Sequence, residues 1–181
     1  MIKSMNVIQQ KRKNFLFSKN TGFSLIEIVL GIGMLTVSLV SITSYYKKVL
    51  DVSTDTTRHI QSGFLLEEGL ESVKMLRAQG FTSMIAALST TTTYYLYWSG
   101  TQWTSTTTPQ MVENYFVRSF RLSDINRNDI AGPTKDDIVS TGGVYDPGTK
   151  KVTMSVVWTR KGTKSMATDT AETYITNLFN N

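Results

Sequence analysis

Apolar and polar positions divide the chain into one long apolar run and a region of periodic patterns. From Phe23 to Ile42 every residue is apolar or small except Glu27, and the next charged residue is Lys47. This run of about 20 residues is long enough to cross the hydrocarbon core of a bilayer as a helix. Four basic residues at positions 11–19 precede it. They predict that the N-terminal end of the span stays in the cytoplasm and that the rest of the chain is exported.

The pattern after the apolar run is also helical. No proline occurs before Pro109, so the helix can continue from Phe23 to about Gly80, where a glycine is typical of a helix C-terminus. In the last third of this helix, apolar residues recur at spacings of four, three and three, at Leu66, Leu70, Val73 and Leu76. The segment 47–80 is therefore predicted to be an amphipathic half that needs one covering surface.

From Thr90 onward, β-branched and aromatic residues predict strands. The predicted strands are 91–98 and 103–105, joined by a Ser-Gly-Thr-Gln turn, then 113–122, 152–158 and 165–178. Residues 123–137 are predicted to be a loop, and Asp146-Pro147-Gly148 a turn.

These elements predict an α+β fold, a long N-terminal α-helix packed on a C-terminal antiparallel β-sheet. The strand residues expected to cover the amphipathic half are Phe116 or Phe120, together with Val156 and Trp158.

The net charge of +5 belongs to the start of the chain. Five of the 19 Lys and Arg residues lie in residues 1–22, which contain no acidic residue, and the remaining 14 balance the 14 Asp and Glu residues. The basic pI therefore does not indicate a nucleic-acid-binding surface. The chain has no cysteine, so an exported domain here must be stable without disulfides.

The residues Gly22-Phe23-Ser24-Leu25-Ile26-Glu27, between a basic leader and an apolar helix, resemble the class III signal of type IV prepilins and type II secretion pseudopilins. The resemblance implies cleavage after Gly22 by a prepilin peptidase and N-methylation of Phe23. It also implies the ladle-shaped pilin fold and assembly into a filament through the apolar helix, with core residues Leu25, Ile26, Ile28, Val29 and Leu30.

The domain organisation expected from this resemblance has four parts: a cleaved leader (1–22), a transmembrane and filament-core helix (23–46), an amphipathic helix half (47–80) and an exported β domain (81–181). The expected partners are the membrane, other pilin subunits, the peptidase and a pilus assembly platform. The precursor would lie in the cytoplasmic membrane with its C-terminus outside, and the mature chain in an extracellular or cell-surface filament.

The chain departs from many major pilins, because it has neither a proline in the apolar half nor a C-terminal disulfide loop. A minor pilin or a pseudopilin is the favoured role. Glu27 is expected to pair with the Phe23 amine of a neighbouring subunit in a water-poor core. The alternatives are that it pairs with its own amine or reaches water at the membrane edge.

Little in the sequence indicates catalysis. His59 is the only histidine, no cysteine is present and no paired carboxylates stand out, so neither an enzyme nor a cofactor or metal site is predicted. Asp124, Asn126, Asn128 and Asp129 resemble the start of a calcium loop, but Lys135 stands where the bidentate Glu belongs. A polar turn is the favoured interpretation.

Other interpretations of the chain stay open. An ordinary secretory signal also has a basic region before an apolar one, although no Ala-x-Ala site follows this run. A signal-anchored exported domain that never polymerises is a related alternative. A filament-tip module that binds DNA or a surface receptor would need several basic residues on one face beside exposed aromatics such as Trp98 or Trp103. The basic residues to consider are Arg118, Arg121, Arg127, Lys150, Lys151, Arg160, Lys161 and Lys164.

Overall fold

A computed structural model of the protein describes residues 22–162 and 164–178. The predicted leader, residues 1–22, lies outside the described residues apart from Gly22. The chain divides into two compact units, Met1–Tyr46 and Lys47–Asn181.

Helix α1 runs without interruption from Leu25 to Gln79. Its first turn is closed by the Ser24 carbonyl, which accepts hydrogen bonds from the N–H groups of Glu27 and Ile28. Its last residue comes directly before Gly80. The predicted helix from Phe23 to about Gly80 is therefore confirmed to within two residues.

The polar middle of α1 is rich in threonine, a residue of weak helix propensity. Here the hydroxyls of Thr54, Thr56 and Thr57 donate to the backbone carbonyls four residues earlier, at 2.9–3.0 Å. These hydroxyls thus share the carbonyls that accept the backbone hydrogen bonds of the helix, and α1 continues through them without a break.

After a short π-helical turn, Thr82–Ala86, the described residues form seven strands of one sheet in which every pairing is antiparallel. The sheet order is β2-β1-β4-β6-β7, with the short strands β3 and β5 also paired to β4. The strands are β1 (Tyr94–Trp98), β2 (Trp103–Thr106), β3 (Met111–Val112), β4 (Phe116–Arg127), β5 (Ile138–Val139), β6 (Val144–Thr159) and β7 (Met166–Thr176).

One hydrophobic core joins the second half of α1 to the inner face of the sheet. Leu66, Val73 and Leu76 are buried on the helix, and Leu70 packs against the same core half-buried. The sheet contributes alternate residues of β4 and β6, including Phe116, Phe120, Val156 and Trp158. The α+β fold and the predicted core residues are thus confirmed.

Several predicted bounds were wrong. Residues 91–93 and 113–115, predicted as strand, lie outside β1 and β4. Strand β4 does not end at Leu122 but continues to Arg127, so the first part of the predicted loop 123–137 is strand. The Asp146-Pro147-Gly148 segment lies inside β6.

The pairing of β4 with β6 gives the reason. Asp124 pairs with Lys150 and Asn126 pairs with Tyr145, so residues 146–149 bulge opposite the single residue Ile125. Pro147 lacks the N–H that a regular ladder would need. Turn-forming residues here make an irregular bulge within a strand instead of reversing the chain.

Candidate functional site

The predicted cleavage site precedes the helix in an accessible segment. Gly22 and Phe23 are exposed and lie outside regular secondary structure, and the Phe23 side chain is 77% exposed. A Cβ added at Gly22 would meet no atom within 4 Å. This segment therefore leaves the Gly22–Phe23 peptide bond open to another molecule.

Glu27 lies in the first turn of α1 and is exposed. A carboxylate at this position interacts favourably with the partial positive charge at a helix N-terminus. The next charged residues of α1 are Lys47 and Lys48, about five and a half turns later. Glu27 is therefore an isolated negative charge near the N-terminal end of residues 23–46, which are called the apolar rod below.

The unit that contains Glu27 exposes apolar side chains on all sides of α1. The five predicted filament-core residues are each at least half exposed, and the same holds for the larger apolar residues that follow as far as Ile42. The five are Leu25, Ile26, Ile28, Val29 and Leu30. A soluble protein rarely exposes a continuous apolar surface of this extent, which marks a site for membrane or protein contact.

Four hydroxyl-bearing residues in the second half of the apolar run donate hydrogen bonds to the backbone of α1. Thr36, Ser38 and Ser41 donate to the carbonyls of the residues four positions earlier, at 2.7–2.8 Å, and Thr43 does the same at 3.0 Å. Unpaired polar groups are costly where water is absent. The bonded hydroxyls therefore leave residues 36–43 compatible with lipid or a dry protein interior.

His59, for which no catalytic partner is evident in the sequence, lies in a polar cluster that links α1 to β7. Its Nδ1 atom is 3.1 Å from Asp169 Oδ2, and its ring packs edge-on against Trp158 at a centroid distance of 4.8 Å. Ser62 is buried and donates its hydroxyl to the same Asp169 oxygen. The serine is thus bonded to the carboxylate and not to the imidazole, unlike a serine activated by histidine as a general base.

The calcium-like residues are divided between a strand and a turn. Asp124 and Asn126 belong to β4, where Asp124 accepts a hydrogen bond from Lys150 and Asn126 donates to the Gly142 carbonyl at 2.8 Å. The Asn128 side chain accepts from the Ile130 N–H at 3.2 Å and donates to the Thr134 carbonyl. Among residues 22–162 and 164–178, no group of three or more His, Cys, Asp or Glu side chains is arranged to hold a metal ion.

Most of the basic residues of the sheet each form an ion pair with an acidic side chain. Arg118 is 3% exposed and donates to Glu68 Oε2 at 2.8 Å and to the Leu65 carbonyl at 3.2 Å. The other ion pairs are Arg127 with Asp146, Lys150 with Asp124, Lys151 with Glu172 and Arg160 with Asp55. Arg121 lies in β4, the strand of Arg118, and donates a hydrogen bond to the Thr93 hydroxyl.

Hydrogen bonds within these ion pairs shift the pKa of Asp146 and the pKa of Lys150. Burial by itself raises the pKa of Asp146, but hydrogen bonds from Arg127, Thr149 and the Gly148 N–H outweigh it, so that its pKa is lowered. Burial by itself lowers the pKa of Lys150, but hydrogen bonds with Asp124 and Tyr145 outweigh it and raise the pKa. The hydrogen bonds therefore stabilise the charged forms of Asp146 and Lys150.

Arg118 approaches the aromatic pair Trp98 and Trp103 from the buried side of the sheet. Trp98 is exposed and packs edge-on against Trp103 at 5.6 Å, while the guanidinium of Arg118 lies under the sheet, 5.2 Å from the Trp103 ring. The strand pattern predicts this placement, since Arg118 lies two residues from both Phe116 and Phe120 and therefore on the same face of β4.

Within the part of the chain that the structure describes, α1 is long and apolar enough to cross a membrane. Comparison of the chain with protein-family models, with curated proteins and with solved structures gives no match. Evidence about the function therefore comes from the exposed apolar part of α1 and from the accessible segment before it.

Proposed function

We propose that this chain is a structural subunit of a type IV pilus-like filament, a minor pilin or a pseudopilin. A prepilin peptidase would cut it after Gly22, and its apolar rod, residues 23–46, would serve first as a membrane anchor and then as part of a filament core. The observation that carries the proposal is the exposed apolar surface of the rod, which begins directly after an accessible Gly22–Phe23 bond and contains one charge, Glu27.

The rod has the properties that both environments require. Its side chains are apolar on all sides, and the hydroxyls from Thr36 to Thr43 are bonded to its own backbone. Moving such a helix from lipid to neighbouring helices changes apolar burial little, so packing and polar contacts must supply the specificity. Small residues allow helices to approach closely. Gly31 and Gly33, where an added Cβ would meet no atom within 4 Å, present such surfaces.

Glu27 would supply the polar contact. Cleavage after Gly22 creates a positive amine at Phe23, and a carboxylate one turn into a neighbouring rod can pair with it. In a core that excludes water this attraction is much stronger than in solution, and an unpaired carboxylate there would be costly. The pair would therefore favour one stagger between adjacent subunits.

The role proposed here is structural, with no catalytic step. Residues 47–181 would form the exported domain, in which the sheet covers one side of the second half of α1. The partners would be the peptidase, other subunits and the machinery that extracts the rod from the membrane.

Mass spectrometry of the chain purified from its native host tests the proposal. A mature form that begins at an N-methylated Phe23 is expected, and Gly22→Leu should retain the 22-residue leader because a bulky side chain obstructs the bond to be cut. A chain that reaches the filament fraction with its leader intact would overturn the proposal.

The assembly step has a separate test. Glu27→Ala should be processed normally but should be depleted from sheared filaments, whereas Glu67→Ala, at an exposed glutamate of the same helix, should assemble normally. Equal filament content of the two variants would remove Glu27 from the mechanism. A methylated chain that is absent from every filament fraction would point to an anchored domain that does not polymerise.

A further inference from the structure

The turn between β6 and β7 is held against the first residues of the second unit. A Cβ added at Gly162 would lie 3.2 Å from Asp51 Oδ2, so the backbone of the turn approaches the helix closely. Arg160 Nε lies 3.2 Å from Asp55 Oδ2, and Arg58 donates to the Thr159 carbonyl at 3.1 Å. These contacts set the height of the turn along α1.

That height is close to Lys47, the first residue of the second unit. Asp51 follows Lys47 by four residues, which is about 6 Å along a helix axis. The headgroup layer of a bilayer adds about 5–8 Å beyond the hydrocarbon core on each side. If Lys47 marks the outer edge of the hydrocarbon core, as the proposed function requires, the turn lies at the depth of the lipid headgroups.

Lysines without ion pairs are concentrated at this place. Of the lysines in residues 22–162 and 164–178, Lys74, Lys150 and Lys151 form ion pairs with acidic side chains. The remaining ones form no ion pair with the described residues; they are Lys47, Lys48, Lys161 and Lys164 at this turn, and Lys135 in the β4–β5 loop. All five are exposed.

The local charge is positive even when the neighbouring acids are included. An open groove of about 320 Å³ lies between Lys48, Asp51, Arg160 and Lys161. Asp55, which also lines it, is engaged by Arg160 and lies 4.0 Å from His59 Nε2. Asp51 is then the one acidic side chain of the groove without an ion pair, whereas Lys47 and Lys48 of α1 and Lys161 and Lys164 of the turn are all without one within the described part of the chain.

We propose that these four lysines bind the phosphate groups of anionic phospholipids in the outer leaflet, while the subunit is stored in the membrane. Lysines at such a surface attract anionic lipid at about 1 kcal/mol each, which is about fivefold in an equilibrium constant. The contact would hold the exported domain at the membrane surface until the rod is extracted. This inference rests on the membrane-stored precursor of the proposed function.

The test uses the full chain in nanodiscs of phosphatidylcholine with increasing phosphatidylglycerol. The chain has no cysteine, so Met166→Cys, at a 78%-exposed position beside the turn, accepts a single spin label that reports contact with the bilayer. Ile130→Cys, in the β4–β5 loop, provides the reference label. Label 166 should lose accessibility to a water-soluble relaxant as phosphatidylglycerol increases, and label 130 should not.

Charge removal tests whether the lysines are responsible. Lys161→Gln with Lys164→Gln should lower the ratio of membrane-bound to free domain about 25-fold in phosphatidylglycerol discs, at about fivefold for each lysine. Lys135→Gln should leave this ratio unchanged. The same accessibility of label 166 in both lipids, or no effect of the double substitution, would overturn the inference.

The same samples distinguish failure of the proposed function from failure of the lipid-binding inference. A chain that does not enter the bilayer, seen as a rod fully accessible to added protease, would refute the membrane-stored precursor and this inference with it. A chain that enters the bilayer but ignores phosphatidylglycerol would refute this inference alone.

Discussion

The close approach of α1 to the sheet at Gly69 makes a quantitative prediction. Gly69 is buried, and a Cβ added there would lie 2.9 Å from Met154 Sδ and 3.0 Å from Arg118 Cδ. Met154 is fully buried and Arg118 is held by Glu68, so neither side chain can move away freely. The same helix contains Gly63, where an added Cβ would meet no atom within 4 Å.

The two glycines allow the clash to be separated from helix propensity. Replacing glycine by alanine in a helix interior gains about 0.5–1 kcal/mol at either position. Overpacking a filled core costs about 1–3 kcal/mol. Gly63→Ala should therefore be stabilised, and Gly69→Ala should be less stable than Gly63→Ala by about 1–3 kcal/mol.

Urea unfolding of the full chain in detergent, followed by tryptophan fluorescence, measures this difference because Trp158 is buried in the core. Thermal unfolding should show it as well, at about 3–5 °C for each kcal/mol in a unit of this size. Gly69→Leu introduces a larger side chain at the same contact, and its free energy of unfolding should be lower than that of the wild type. If Gly69→Ala gained as much stability as Gly63→Ala, the tight contact between helix and sheet would be refuted.

Two further predictions concern charges. Glu68→Gln removes the charge that faces buried Arg118 and should lower the free energy of unfolding by about 1–3 kcal/mol. Glu71→Gln, which removes the charge of an exposed ion pair, should change the free energy of unfolding by only tenths of a kcal/mol. Equal effects of the two substitutions in urea unfolding would contradict the burial of Arg118. The lowered pKa of Asp146 stabilises the fold above the unfolded-state pKa of about 3.9, and this contribution is lost as the pH falls through the lower folded-state pKa. The Asp146→Asn variant should therefore be less stable than the wild type at pH 7, and the difference in stability should shrink below about pH 4. If the urea midpoints of the two proteins differed by the same amount at every pH between 7 and 2, the lowered pKa of Asp146 would be contradicted.

Local patterns in the sequence predict several elements closely. The absence of proline and the spacing of Leu66, Val73 and Leu76 predict a helix and its buried side, and α1 follows both. The alternation from Val152 to Trp158 predicts the central part of β6 and the residues that face the core. These predictions succeed because helical and strand periodicity are properties of neighbouring residues.

The apolar run that begins at Phe23 is likewise evident from the sequence, since it depends on composition alone. The helix found there adds the internal bonding of its hydroxyl groups, which the sequence does not show.

Features that depend on residues far apart in the chain were decided by the tertiary structure. The Asp146-Pro147-Gly148 segment has the composition of a turn, but pairing of β6 with β4 on both sides of Ile125 converts it into a bulge. The strand pattern places Arg118 on the core face of β4, but only the folded structure brings Glu68 of α1, 50 positions earlier, into contact with it.

The contacts of His59 and Gly69 have the same origin. Asp169 is 110 positions from His59 in the chain, and Met154 is similarly distant from Gly69. Which side chains meet is set by the packing of α1 on the sheet, so periodicity predicts the faces of these elements and the folded structure determines the pairs across them.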